Sequence, residues 1–362
     1  MYQDLFFDGG VEEEGFPVFW WMTEVRPTIN CSPAEFREIE GSLPYDIGEK
    51  HPFYDDYWKS KEPDLSSITL PMLVCASFAD HGLHTRGSFR AFMQASSRHK
   101  WLYTHRRLKW DAYYSEEVQQ LTRAFFDRFV KGEENGFEQR PPVRVEVRRS
   151  REEIAEVREE DAWPLQDTQY RRCYLQPDLT LGDDTPDEPA ELIYDARTGR
   201  LVFRMQFTAV TELTGYMALR LWLEARGAND MAVFVGVDKL SSDSERVPFN
   251  GVVGNKSDTL ARGLIQVSRR ELDESLSTPW QPVLKNTSCR FLEAFEIVPV
   301  DISILPSSTL FEPGEWLQLT IAPEVVVPTY PFRKSNRCNR GMHVVHLGGA
   351  YDSHLLVPEI AR

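Results

Sequence analysis

The sequence has no apolar run long enough to cross a membrane. A spanning helix needs about 20 consecutive apolar residues, and polar or charged residues interrupt every stretch of that length. The first residues, MYQDLFFDGGVEEEG, carry acids in place of the basic segment and apolar core of a secretory signal. We therefore expect no membrane partner and a cytoplasmic location.

Positive charge is also scarce. The 362 residues include 41 Lys and Arg against 56 Asp and Glu, which gives a formal net charge of -15 at pH 7. A surface of this sign repels the phosphates of nucleic acids and of anionic lipids. The composition therefore argues against nucleic acid as a principal partner.

Cysteine is rare, with five residues in the chain. Their number is odd, they are widely spaced and no two form a CxxC pair, so the sequence predicts free thiols in a reducing compartment. The five are Cys31, Cys75, Cys173, Cys289 and Cys338.

Metal motifs are weak as well. The closest match to a metal-binding motif is the spacing His-x-x-His, which occurs twice, at His81 with His84 and at His343 with His346. Residues three apart on a strand face opposite sides, and neither pair has the cysteine or carboxylate company of a zinc site. We expect no metal and no cofactor.

The chain changes character twice. Residues 1–60 are aromatic-rich and broken by prolines, which predicts irregular structure. Residues 61–134 contain two apolar runs, at 68–78 and 100–104, that flank a predicted helix over 87–95. A second helix is predicted to begin at Ser115, a good N-cap, and to end near Gly132. Strand, helix, strand, helix indicates an α/β sheet.

From about residue 143, apolar residues recur at every second position. Val143, Val145 and Val147 alternate with charged residues, and segments 203–207, 219–223 and 317–321 alternate in the same way. Short alternating strands separated by acidic loops predict an antiparallel β-sandwich. The boundary between the two regions is expected near 135–142.

Two polar residues follow the predicted parallel strands. Asp80 comes just after SITLPMLVCASFA, and His105 comes after KWLYT. Side chains beyond the carboxyl ends of neighbouring parallel strands meet at one edge of a sheet. Asp and then His is the order of the last two members of an α/β-hydrolase triad. The alternative is a carboxylate that accepts loop amides and a structural histidine, and the spacing alone leaves both open.

Several ordered blocks of the chain resemble one family. HPFYDDYW, LPMLVCASFADHGLHTRGSF, HKWLYTHRRLKWDAYYSEE, FFDRFVKGEENG and RGMHVVHLGGAYDSHLLVPEI are similar to blocks of the CocE/NonD hydrolases, which include Xaa-Pro dipeptidyl-peptidases, cocaine esterase and α-amino acid ester hydrolases. The resemblance implies that Asp80 is the triad acid and His105 the triad base. It also implies a fold of α/β plus all-β class.

The resemblance assigns a role to each region of the chain. Residues 1–60 are expected to be the remnant of a helical cap, and residues 61–137 the C-terminal part of an α/β-hydrolase domain. Residues 138–362 are expected to form a jelly-roll, galactose-binding-like β-sandwich. Asp55, in HPFYDDYW, matches the region where relatives place acids that bind a substrate ammonium. A solvated acidic loop is the alternative for Asp55.

The sequence departs from the family at the nucleophile. The family places a serine in a Gly-x-Ser-Tyr-x-Gly elbow ahead of the cap, and no GxSxG occurs here. Ser42, Ser77 and Ser88 lack the flanking glycines that the elbow requires. We therefore expect the chain to be the C-terminal part of a longer enzyme, or one half of a split one, and to be inert alone.

Two functions remain as hypotheses. The first is a serine hydrolase that cleaves small esters or Xaa-Pro peptides through an acyl-enzyme when its serine-bearing part is present. The second is a binding or oligomerisation protein built on the β-sandwich, with no catalysis. The sequence leaves a homo-oligomer open in both cases.

Overall fold

The computed structural model describes residues 5–361, and β-strands dominate it. Its N-terminal region is a series of short elements, because prolines and glycines interrupt the chain repeatedly. Ser32 and Glu35 form a capping box at the start of the longest helix there. The elements are β1 (Phe7–Asp8), β2 (Val11–Glu12), α1 (Phe16–Trp20), α2 (Pro33–Glu40), α3 (Ile47–Lys50) and α4 (Asp56–Lys61), with a π-helical turn at Trp21–Val25 and 3-10 turns at Arg26–Thr28 and Leu65–Ser67.

A parallel strand–helix–strand unit follows, as predicted. Strand β3 (Met72–Ser77) pairs in parallel with β4 (Lys100–His105), and α5 (Thr85–Gln94) connects them. β4 pairs in parallel with β5 (Val143–Arg148), which pairs antiparallel with β6 (Ile154–Glu160). The carboxyl ends of β3 and β4 therefore lie side by side.

Two helices come between β4 and β5. They are α6 (Lys109–Tyr113) and α7 (Glu116–Phe129). Ser115 caps α7, as its sequence position predicts, because its side chain accepts a hydrogen bond from the Val118 amide. The ring of Phe125 packs on Trp101 of β4, so α7 covers one face of the parallel strands.

The apolar run 68–78 is only in part a buried strand. The strand covers only Met72–Ser77, and Leu70 before it is 75% exposed. Cys75 is exposed too, whereas Ala76 and Phe78 are buried. The physical reason is that β3 pairs only with β4 among the described strands, so its other edge is unpaired.

The rest of the chain forms a β-sandwich of antiparallel strands, as the period-two pattern predicts. The strands are β7 (Thr168–Leu175), β8 (Leu181–Gly182), β9 (Ala190–Asp195), β10 (Leu201–Gln206), β11 (Thr211–Arg226), β12 (Ala232–Leu240), β13 (Arg246–Val247), β14 (Ala261–Gln266), β15 (Val298–Phe311), β16 (Trp316–Ala322), β17 (Met342–Leu347) and β18 (His354–Ile360). Their main path is β10-β16-β12-β14-β15-β11-β18-β7-β8, with β17 paired to both β11 and β9.

The sandwich core comes from alternate residues of these strands. Phe203 of β10 pairs with Leu319 of β16, and both are fully buried. Leu219, Leu221 and Leu223 of β11 are buried in the same core. Every second side chain points inward because successive residues of a strand face opposite sides.

Arg148, at the end of β5, links the parallel unit to the sandwich. Its guanidinium lies 4.8 Å from the ring centres of both Phe78 and Phe249. It donates hydrogen bonds to the Ser308 carbonyl oxygen at 3.1 Å and to Oγ of Ser307 at 2.7 Å. Complete burial lowers the pKa of Arg148 to about 9, so the side chain stays charged at neutral pH.

No helix within residues 5–361 combines the length and apolarity that a membrane span requires. All five cysteines are free, as their odd number and spacing predict.

Candidate functional site

The carboxyl ends of β3 and β4 are held together by polar contacts. Ser77 of β3 lies opposite His105 of β4 in the register of the two strands. Oγ of Ser77 donates a hydrogen bond to the Arg107 carbonyl oxygen at 2.8 Å and accepts one from the Ala79 amide at 3.0 Å. Oγ1 of Thr85, at the start of α5, donates to the Ser77 carbonyl oxygen at 2.8 Å. Both strand ends and the following turn are therefore fixed.

Asp80 lies in the turn between β3 and α5. Its carbonyl oxygen accepts hydrogen bonds from the amides of Leu83, His84 and Thr85. Its side chain is buried, and Oδ2 lies 3.6 Å from Nζ of Lys109 and 4.0 Å from Nε2 of His84. Sequence reasoning placed the carboxylate at this edge but missed both of its neighbours.

Among the described histidines, His84 has an imidazole within 4.0 Å of the Asp80 carboxylate. Its side chain is 48% exposed, so it is accessible from solvent. Partial burial lowers the pKa of His84, the charge of Asp80 raises it and the charge of Lys109 lowers it, with a net shift downward. A neutral, accessible imidazole beside a carboxylate is suited to accept a proton.

His105 is in a different environment. It is buried, and its Nδ1 has no hydrogen-bond partner among the described residues. Burial lowers the pKa of His105 to about 4, a hydrogen bond with the Arg107 backbone opposes the shift, and the charges of Arg144, Arg107 and Arg106 reinforce it. No hydrogen bond or ion pair joins His105 to Asp80 in the described part of the chain. The structure thus places the two on adjacent strand ends without connecting their side chains.

Asp55 is the N-cap of α4. One carboxylate oxygen accepts hydrogen bonds from the amides of Tyr57 at 3.0 Å and Trp58 at 3.3 Å. The other lies 2.7 Å from Nδ1 of His51. Burial raises the pKa of Asp55, but these hydrogen bonds outweigh it and the pKa is lowered. The structure joins Asp55 to α4 and to His51, and within residues 5–361 no hydrogen bond or ion pair joins it to Asp80.

Buried titratable side chains lie next to the Asp80 turn. Nδ1 of His81 is 3.7 Å from Oδ2 of Asp258, and both side chains are buried. Burial lowers the pKa of His81, while Asp258 opposes the shift. Gly82 has φ +81°, and a Cβ there would lie 2.6 Å from Nη2 of Arg262. These contacts fasten the turn to the sandwich, and they were not predictable because Asp258 is remote in sequence.

One expectation about the histidine pairs is wrong. His343 and His346 do face opposite sides of β17, but two carboxylates lie next to His346. Its Nε2 lies 2.9 Å from Oε2 of Glu224, and its Nδ1 lies 3.9 Å from Oε1 of Glu191. His343 instead lies 3.1 Å from the hydroxyl of Tyr194. The two acids were missed because they come from separate strands of the sheet.

The similarity to known proteins agrees with this architecture. Residues 135–356 match the family model described as the X-Pro dipeptidyl-peptidase C-terminal non-catalytic domain. The β-sandwich is therefore of the class of non-catalytic C-terminal domains that this family model describes. The chain belongs to the X-Pro dipeptidyl-peptidase C-terminal domain family. A comparison with curated protein sequences gives no match.

Solved structures extend the similarity to the whole chain. Two crystal structures of a CocE/NonD family hydrolase from Staphylococcus aureus are 34% identical to it, with TM-scores of 0.92 and 0.91. The matches cover 100% and 99% of this chain and 65% and 66% of that one. This chain thus resembles a CocE/NonD hydrolase throughout, and it spans just under two-thirds of that relative's length.

More distant structures share the fold alone. An aminopeptidase from a marine sediment Thaumarchaeota archaeon has a TM-score of 0.68 at 16% identity, over 98% of this chain and 70% of that one. An α-amino acid ester hydrolase has a TM-score of 0.63 at 13% identity, over 90% and 62%.

Proposed function

We propose that the chain is part of a serine hydrolase of the CocE/NonD type, which cleaves small esters or Xaa-Pro peptides through an acyl-enzyme. The observation that carries the proposal is the 34% identity to a CocE/NonD family hydrolase across the whole chain. In this proposal residues 1–60 belong to the cap, 61–137 to the α/β-hydrolase domain and 138–362 to a jelly-roll sandwich.

The nucleophile of the proposed enzyme lies outside this chain. No GxSxG occurs in the sequence, and the relative has about a third of its length beyond the match. The unpaired edge of β3 is where additional strands would extend the parallel sheet, because an apolar edge strand is otherwise a site of aggregation. The serine therefore comes from a segment that docks on this edge.

Asp80 is the proposed acid, since it is buried at the carboxyl edge of the parallel strands. Its role is to orient an imidazole and to stabilise the imidazolium. The family resemblance gives His105 as the base. The distance of 4.0 Å between Nε2 of His84 and Oδ2 of Asp80 instead favours His84. Catalytic hydrogen bonds are often unformed without substrate, so we retain His105 as the proposed base and test it against His84.

Asp55 is proposed to face the ammonium group of the substrate. The pKa of its carboxyl is lowered, so it is ionised at neutral pH. A carboxylate and an ammonium form a charge-assisted hydrogen bond. In a chimera that supplies the missing nucleophile, the substitution Asp55→Asn should raise KM for an amino-acid ester and leave KM for an acetate ester unchanged. Equal effects on both esters would instead assign Asp55 to capping α4.

A chimera tests the enzyme directly. We would join the third of the S. aureus hydrolase that this chain does not match to residues 1–362, and measure labelling by a fluorophosphonate and hydrolysis of a p-nitrophenyl ester. The chimera should react, and Asp80→Asn should abolish turnover. His105→Ala and His84→Ala identify the base, because only the true base should match the loss in Asp80→Asn.

The isolated chain is the control for the nucleophile. It should show no labelling, and its turnover should not exceed that of its own Asp80→Asn variant. The reason is that removal of the serine alone from the serine protease subtilisin lowers turnover about a million-fold. Stoichiometric labelling of a serine within residues 1–362 would contradict an external nucleophile. An active chimera that tolerates Asp80→Asn would contradict the role of Asp80.

A binding protein is the second candidate. The matched family model covers more than half of the chain and is described as a non-catalytic domain. In that case the sandwich supplies recognition or oligomerisation and the edge of β3 carries no chemistry. An inactive chimera that is nevertheless folded would favour this candidate.

A further inference from the structure

We propose that Glu191, Glu224 and His346 form a binding site for a divalent metal ion, with Zn²⁺ as the best-fitting ion. The three residues lie on β9, β11 and β17, which are adjacent in the sheet. His346 is directly opposite Glu191 in the register of β17 and β9. Their ligand atoms all lie within 4.8 Å of one another.

The strand register explains why these side chains converge. β17 lies between β9 and β11 in the sheet. A side chain of β17 therefore has neighbours on the same face of the sheet from both of those strands. Glu224 pairs with Val344, two residues from His346, and therefore shares its face of the sheet. The site is built on paired strands, which hold ligands more firmly than loops do.

Arg226 fixes both carboxylates. Its Nε donates to Oε1 of Glu224 at 2.7 Å, and its Nη2 donates to Oε2 of Glu191 at 2.9 Å and to Oε2 of Glu224 at 2.9 Å. Oε1 of Glu191 is left facing the imidazole. Two carboxylates and one guanidinium give these side chains one net negative charge, which favours a cation.

The donor set selects the kind of ion. One imidazole nitrogen and two carboxylate oxygens suit Zn²⁺, which is commonly held by three protein ligands with water in the fourth position. Glu224 and His346 are buried, whereas the side chain of Glu191 is 44% exposed. The ion would therefore enter from the exposed side of the site, at Glu191. The Glu191 side chain can then move to bind the ion.

The experiment is calorimetric titration of the whole chain with Zn²⁺. We expect one saturable site per chain, lost in His346→Ala and weakened at least about tenfold in Glu191→Gln. His343→Ala is the matched control, because His343 lies on the same strand and faces Tyr194 instead. It should keep the site.

Thiols and misfolding need separate controls. Co²⁺ replaces Zn²⁺ in a second titration, in which a thiolate ligand would give an intense near-ultraviolet band and the proposed N and O ligands would not. Circular dichroism checks that each variant is folded. If His346→Ala does not fold, Glu191→Gln still tests the site, because Glu191 is at an exposed position. The proposal fails if the wild-type chain shows no saturable binding, if the variants bind as tightly as the wild type, or if the Co²⁺ spectrum is that of a thiolate.

Discussion

Nζ of Lys109 lies 3.6 Å from Oδ2 of Asp80, and Nε2 of His84 lies 4.0 Å from the same oxygen. Asp80 follows β3, His84 directly precedes α5, and Lys109 begins α6. The imidazole therefore shares the field of a carboxylate and an ammonium, which act on its pKa in opposite directions. The protonation of His84 reports on both neighbours.

The first prediction concerns this trio. Lys109→Met removes a positive charge and should raise the pKa of His84, whereas Asp80→Asn removes a negative charge and should lower it. The measurement is a titration of the His84 ring protons by NMR. Lys59→Met is the control, because Lys59 pairs with exposed Asp56 on α4. Shifts of the same sign in both variants would contradict the arrangement.

The second prediction concerns stability at low pH. The pKa of His105 is about 4 in the folded chain and about 6.5 in an unfolded one. Between these values the unfolded chain binds more protons, so the free energy of unfolding falls as pH drops from about 6.5 to about 4. At pH 5 the loss from His105 is about 2 kcal/mol.

Urea denaturation at pH 7 and pH 5 measures this loss. His105→Gln should lose less stability between the two pH values than the wild-type chain does. His99→Gln provides the comparison, because His99 is exposed. An unchanged difference in His105→Gln would mean that His105 is not held neutral by burial.

The third prediction concerns the link between the parallel unit and the sandwich. Arg148→Met leaves the Ser308 carbonyl oxygen and Oγ of Ser307 without their donor, and removes two contacts with aromatic rings. The free energy of unfolding should fall by about 2 kcal/mol, measured by urea denaturation. Arg204→Met, on the surface of β10, should change it little. Equal effects would show that Arg148 does not link the two parts.

The sequence predicted local elements more fully than contacts. The caps, periods and strand ends that place Ser115, Asp80 and His105 are short-range features, so they were readable directly. The neighbours of His346 were not, because Glu224 is 122 residues away and reaches it only through strand register. The exposure of Leu70 is not readable from the apolar run either, because the run does not show which of its side chains other elements cover.

The last prediction follows from that exposed edge. β3 pairs on one side only among the described strands, and Leu70 beside it is 75% exposed. Unpaired apolar edges drive association between copies, and lysine blocks it because a charge cannot be buried in the new pairing. Leu70→Lys should therefore reduce self-association in sedimentation velocity. Ile39→Lys is the matched control, since Ile39 is 76% exposed on α2, away from a strand edge. If Ile39→Lys reduces association as much as Leu70→Lys, general surface apolarity and not the edge of β3 is responsible.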